Sequence, residues 1–98
     1  MPTYEYPEAF LREFRRMSPE QRRRFLVAVA RLVEALHERP PRVPAGLRVK
    51  AVQGTAGVWE LTFAPDGRAT FAYGAEQRPG EPHVIWRRIG DHSIFANP

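Results

Sequence analysis

"GVWELTFAPDGRATFAYG", residues 57–74, decides the fold. Two runs alternate apolar and polar residues on either side of a turn. Trp59, Leu61 and Phe63 stand against Glu60 and Thr62, and Ala69, Phe71 and Tyr73 against Arg68 and Thr70. A period of two places each set on one side of a strand. Pro65, Asp66 and Gly67 between them carry turn chemistry. A two-residue loop at Asp66-Gly67 opposes Phe63 to Thr70 and mixes the faces. A three-residue loop with Gly67 in the left-handed conformation opposes Phe63 to Ala69, Leu61 to Phe71 and Trp59 to Tyr73, and this register is expected. The hairpin then has one apolar face that needs a cover.

The neighbouring segments extend the same pattern. "LRVKAVQG" (47–54) alternates Leu47, Val49 and Ala51 with Arg48 and Lys50. "EQRPGEP" (76–82) reads as an exposed loop, and "HVIWRRIG" (83–90) as a fourth strand. Upstream, Phe10, Leu11, Phe14 and Met17 recur at helical spacing. Ser18, Pro19 and Gln21 mark a second helix start, with Phe25, Leu26, Val29, Leu32, Val33 and Leu36 as its apolar stripe and Pro40-Pro41 as its stop. "TYEY" (3–6) suits a short edge strand. The expected architecture is α+β in one domain spanning 1–98: an edge strand within 1–6, a helical hairpin over 7–39, and a twisted antiparallel sheet of about four strands over 47–95. The hairpin covers the apolar face, because a half-apolar sheet must bury that side. The other face displays Arg48, Lys50, Glu60, Thr62, Arg68 and Thr70.

Bulk properties narrow the function classes. The chain has 98 residues, 43% hydrophobic and 11% aromatic, which suits a folded domain with one modest core. Cysteine is absent, which excludes disulfides and thiolate metal sites. No apolar run approaches the roughly 20 residues of a membrane span. "MPTYEYPEAF" shows no basic stretch leading into an apolar one, so a cytoplasmic protein without membrane contact is expected. The net charge is +4, with fourteen arginines and one lysine. In the strand-like segments Arg48, Lys50, Arg68, Arg87 and Arg88 face Glu60 alone. Such a field suits an anionic partner, and guanidinium forks match phosphate oxygens.

Of the histidines, His37 suits a helix C-terminus and His83 reads as an exposed strand opener. His92, in "GDHSIF", follows the last strand beside Asp91 and three residues before Phe95. Imidazole is the side chain suited to acid or base work near neutral pH. No pair of histidines or carboxylates has ligand spacing, so neither a metal nor a cofactor is expected. "GTAG" (54–57) precedes a strand and so does not read as a phosphate loop.

Gly57-Val58-Trp59-Glu60-Leu61, then Arg68 to Tyr73, then Val84 to His92 stand in an order that resembles the RelE/ParE superfamily of bacterial type II toxins. The likeness covers about 47–95 by motif and is nearest the RelE/HigB-like branch. It implies a ribosome-dependent, metal-independent mRNA endoribonuclease, held in check by a cognate antitoxin with an acidic or partly disordered segment. It also implies roles. Arg68 matches the arginine on the scissile phosphate, and His92 the Arg or His position that acts as acid or phosphate contact. Lys50 and Arg48 match basic strand residues that grip RNA and assist charge stabilisation, Lys50 as part of the catalytic set. Glu60 falls where the HigB-like branch often has glutamate, as a base or as a support for Arg68. Phe95 stands where many members have tyrosine, leaving only stacking on a base. Of the adjacent Arg87 and Arg88, strand alternation sends one to the RNA face: Val84 and Trp86 side with Arg88, Ile85 and Ile89 with Arg87. No helix is expected after the last strand. Two other readings share this fold, a ParE-like DNA gyrase inhibitor and a catalytically silent binding module.

Overall fold

A computed structural model describes residues 2–37 and 48–98. In chain order its elements are β1 (Thr3–Glu5), α1 (Glu8–Arg16), α2 (Pro19–His37), β2 (Val49–Ala51), β3 (Trp59–Ala64), β4 (Gly67–Arg78), β5 (Glu81–Gly90) and a 3-10 helix (His92–Ala96). The expected connector at 40–46, Leu47, the last two residues of the expected hairpin and the His37 side chain lie outside the described residues. Two helices pack on one face of the sheet, giving the α+β layers that the alternation predicts. Ser18 caps α2 as expected: its Oγ accepts from the Gln21 amide at 3.2 Å.

The sheet order is β1-β5-β4-β3-β2. It has five strands rather than four and is mixed, because β1 runs parallel to β5 while every other pair is antiparallel. Phe10, Phe25, Leu32, Leu36, Leu61, Phe71, Val84, Trp86 and Ile89 form the core between sheet and helices. Its centre is aromatic. The Trp86 ring lies 5.2 Å from Phe25 and 5.3 Å from Phe71, tilted or edge-on as ring quadrupoles prefer. The α2 stripe is narrower than its sequence suggests: Phe25, Ala28, Leu32, Ala35 and Leu36 are buried, whereas Leu26 is exposed. Leu26 and the exposed Tyr4 and Tyr6 border an apolar groove of about 330 Å³ between β1, α1 and α2.

Several expectations about the strands are corrected. The β3–β4 loop has two residues, Pro65 and Asp66, between the paired Ala64 and Gly67. A bulge at Phe63 then shifts the register, so that Leu61 opposes Ala69 and Trp59 opposes Phe71. The expected register lies two residues away, an even slip, so the two faces keep their residues. Gly67 does not take a left-handed conformation. It is required because a Cβ there would stand 2.5 Å from the Phe63 ring. Tyr73, expected in the core, is 44% exposed and packs at its margin against Phe71 and Trp59.

The segment 76–82 is no open loop. β4 and β5 continue through it to a two-residue Pro79-Gly80 turn, with Gly80 at φ 76°. His83 is also not exposed. It is 5% accessible, and β1 is the reason. Its Nε2 lies 2.7 Å from a Glu5 carboxylate oxygen and its Nδ1 2.7 Å from the Thr3 hydroxyl. A carboxylate only accepts, so Nε2–H donates to Glu5, and in the neutral ring Nδ1 accepts from Thr3. One imidazole thus ties both ends of the edge strand to β5.

The packing of Phe63 over Gly67 gives a test. Gly67→Ala pushes the Phe63 ring from its contact with Phe25, 5.4 Å between centroids. The expected loss is about 1–3 kcal/mol. A melting temperature lower by about 4–8 °C per kcal/mol reads it out, and an unchanged value counts against the account.

Candidate functional site

The second face of the sheet carries the polar residues in rows. Lys50, Glu60, Thr70 and Arg88 are successive cross-strand partners on β2, β3, β4 and β5. The next row pairs Thr62 with Arg68 and Arg68 with Gly90. Rows stand about 7 Å apart along the strands. Arg48 borders this second row, since its carbonyl accepts from the Thr62 amide at 3.4 Å. Its own backbone is left-handed, φ 56°, a conformation that non-glycine residues adopt at an energetic cost.

The Arg68 row leads into the hairpin tip on one side and the 3-10 helix on the other. Arg68 Nη1 donates to the carbonyl oxygens of Ala64, Pro65 and Gly67, at 3.0, 3.3 and 3.0 Å. The guanidinium is thereby fixed against the turn. Because Arg68 pairs with Gly90, the chain after β5 emerges beside it. His92 projects there, 66% exposed, with Nδ1 3.8 Å from an Asp66 carboxylate oxygen. The Phe95 ring stands edge-on to the imidazole at 5.5 Å. Arg68, His92, Phe95 and Asp66 therefore gather at one end of the sheet. Asp66 is the member that reads in sequence only as a turn residue. A cation, an imidazole and a half-buried ring on one rim can hold a phosphate, move a proton and stack a base.

Lys50 and Glu60 lie one row away. The Lys50 ammonium is 3.5 Å from the Glu60 carboxylate, with Lys50 exposed and Glu60 nearly buried. Glu60 thus supports Lys50, and Arg68 takes its bonds from the turn instead.

Arg87 and Arg88 correct the alternation argument. Thr70 pairs with Arg88 and Phe71 with Trp86, so Arg87 is the extra residue of a bulge. The strand changes phase there. Val84, Trp86 and Ile89 all enter the core, and neither arginine does. Arg87 Nε donates to the Pro98 carbonyl at 3.1 Å, and Arg88 Nη1 to the Asn97 carbonyl at 3.0 Å. The two side chains reach the same dipeptide rather than opposite faces. Arg88 also donates from Nε and Nη2 to Glu13 of α1, at 3.3 and 2.7 Å. Glu13 holds the Arg88 guanidinium above its ordinary pKa. It also accepts from the Ile89 amide at 3.5 Å on the outer side of β5.

A 3-10 helix follows β5, contrary to expectation. Asp91 caps it, its carboxylate accepting from the Ser93 amide at 2.8 Å. Ile94 anchors it, 2% exposed. Part of the polar face is covered as a result: Thr70 has no accessible surface, and its hydroxyl donates to the Pro98 carbonyl at 3.1 Å. Among the described residues no helix is long and apolar enough to cross a membrane.

No family model and no curated protein matches the sequence. Solved structures do. A His-to-Gln variant of YafQ from E. coli superposes with a TM-score of 0.64 at 14% identity, covering 96% of this chain and 97% of that one. YafQ in its E. coli complex with DinJ gives 0.62 at 16%, over 96% and 97%. HP0894 from Helicobacter pylori gives 0.51 at 16%, over 95% and 97%. At such identities the likeness is one of fold. The chain has the fold of YafQ, the RelE-like architecture that its strand pattern resembles.

Asp91 sets the entry to His92, and acid tests it. Hydrogen bonds from Ser93 hold its carboxyl below the ordinary aspartate range. The folded value is depressed, so its contribution is present above the ordinary value and lost as pH falls through the folded one. Below about pH 4 the Ser93 amide should lose exchange protection before the core strands do. Asp91→Ala should show the same loss at neutral pH. Full protection of Ser93 in both cases overturns this role.

Proposed function

We propose that this protein is the toxin of a type II toxin–antitoxin pair and that it cleaves mRNA on the ribosome without a metal. The observation that carries this reading is the rim where the hairpin tip, Arg68 and His92 meet. Its support in the fold is the likeness to YafQ, which is known in a toxin–antitoxin complex with DinJ.

The chemistry needs few parts. The ribose 2′-oxygen attacks the adjacent phosphorus, the bond to the 5′-oxygen breaks, and a 2′,3′-cyclic phosphate and a 5′-hydroxyl result. Arg68 faces the non-bridging oxygens, where negative charge develops, from a position fixed by the turn carbonyls. His92 in its protonated form donates to the departing 5′-oxygen, and the 2′-hydroxyl proton passes to water. Asp66 faces Nδ1 of that imidazolium as a carboxylate at 3.8 Å, and Phe95 stacks on a base. Lys50, backed by Glu60, and Arg48 hold the strand farther along the face.

The partner reading has its own support. An acidic, partly disordered antitoxin segment matches the net charge of +4. The apolar groove bordered by Tyr4, Tyr6 and Leu26 offers it a place to bury an amphipathic face.

Expression of the protein should arrest growth, with new mRNA 5′ ends mapped by primer extension. Arg68→Ala and His92→Ala should each lower cleavage about 10²–10⁴-fold while the protein stays folded. Cleavage on ribosomes should persist in a chelator. Intact mRNA with DNA breaks during arrest would replace this reading with gyrase inhibition. Tight binding of a neighbouring-gene product without toxicity would replace it with a silent binding module. Leu26→Glu should leave toxicity in place but weaken rescue by the co-expressed antitoxin. Undiminished rescue removes the groove from the partner's path.

A further inference from the structure

The face opposite the helices ought to be open, yet its most buried polar residue is Thr70, with no accessible surface. What covers it is main chain. The Pro98 carbonyl accepts from the Thr70 hydroxyl at 3.1 Å and from Arg87 Nε at 3.1 Å. The Asn97 carbonyl accepts from Arg88 Nη1 at 3.0 Å. Three donors, two of them cationic, thus converge on two successive oxygens. Neighbouring cations are satisfied differently: Lys50 has Glu60, and the side edge of Arg88 has Glu13.

The tail is weakly held by anything else. Ile94 is its buried anchor, whereas Ala96 and Asn97 are exposed. Beyond Ile94 the fastenings are these three bonds and one from the Asn97 amide to the Ile94 carbonyl at 3.1 Å. Releasing 97–98 leaves the core and the 3-10 helix anchor in place. The tail also forms one wall of a groove of about 430 Å³ that Glu5, Arg87 and Arg88 line with it.

We propose that Thr70, Arg87 and Arg88 form a phosphate subsite for the RNA strand, and that Asn97 and Pro98 close it in the free protein by placing main-chain oxygens where phosphate oxygens bind. The subsite lies one row from Arg68, about 7 Å along the strand, near the spacing of successive phosphates in an extended strand. It therefore takes a phosphate next to the scissile one. A phosphodiester supplies two anionic oxygens to a hydroxyl and two guanidinium groups, an arrangement that charge-assisted bonds suit. The inference rests on the RNA-cleaving reading and adds a step to it: the strand enters by lifting the tail.

The test uses a short single-stranded RNA, methylated at every 2′-oxygen so that it binds without being cut. Its affinity is measured by fluorescence anisotropy for the full chain and for a chain ending at Ala96. The shortened chain should bind at least about fivefold more tightly, since it has no tail bond to displace. Arg87→Ala in the shortened chain should erase the gain. At saturating RNA, the Asn97 amide of the full chain should move to its random-coil NMR position, a measurement that does not depend on the shortened chain folding. Equal or weaker binding by a folded shortened chain, or an Asn97 amide unmoved at saturation, overturns the closed subsite while the RNA reading stands. No binding by either chain removes both.

Discussion

In β5 the ladder has one residue more than its partner strand, Arg87, and both faces of the molecule depend on it. Strict alternation from Val84 and Trp86 sends Arg88 into the aromatic core and Ile89 into water. A buried guanidinium without a carboxylate there is far too costly to tolerate. The bulge changes the phase between Trp86 and Ile89, so the core closes around Ile89 and both arginines leave it. Arg88 then reaches Glu13 and braces α1 against the outer side of β5. Helical layer, sheet edge and tail are joined at this one irregularity.

A second bulge, at Phe63, does similar work at the hairpin tip. The odd slip at the Ala64–Gly67 turn exchanges the faces of β3, and the bulge exchanges them back. Phe63 lies across Gly67, the turn stays tight, and three turn carbonyls point to one guanidinium nitrogen. The position of Arg68 is thus set by backbone geometry rather than by a carboxylate. A guanidinium held by neutral carbonyls keeps its full charge for an incoming anion. Arg88 instead shares its guanidinium between Glu13 and the Asn97 carbonyl.

The layers were legible because they follow from periodicity. Alternation in 57–74 and the i, i+3, i+4 spacing of Phe10, Phe14, Phe25, Leu32 and Leu36 depend on nothing distant. The register was legible only to an even slip, since two residues more or less leave every side chain on its face. Bulges hide in sequence because the residue they insert is ordinary: Arg87 looks like any strand arginine. Burial of His83 and Thr70 was illegible for another reason. Each is covered by residues far along the chain, β1 in one case and Pro98 in the other. At the candidate site Arg68, His92 and Phe95 were within reach of sequence, whereas Asp66 was hidden behind its role as a turn residue.

The parallel pairing of β1 with β5 has a consequence for synthesis. Thr3, Tyr4 and Glu5 leave the ribosome first, but their partners His83, Val84 and Ile85 are made some eighty residues later. Until then the edge strand has no ladder, and the aromatic core lacks Trp86 and Ile89. Folding that waits on such distant contacts is slow to begin. The rim at His92 follows all five strands in chain order, so the site is finished only after the sheet that carries it.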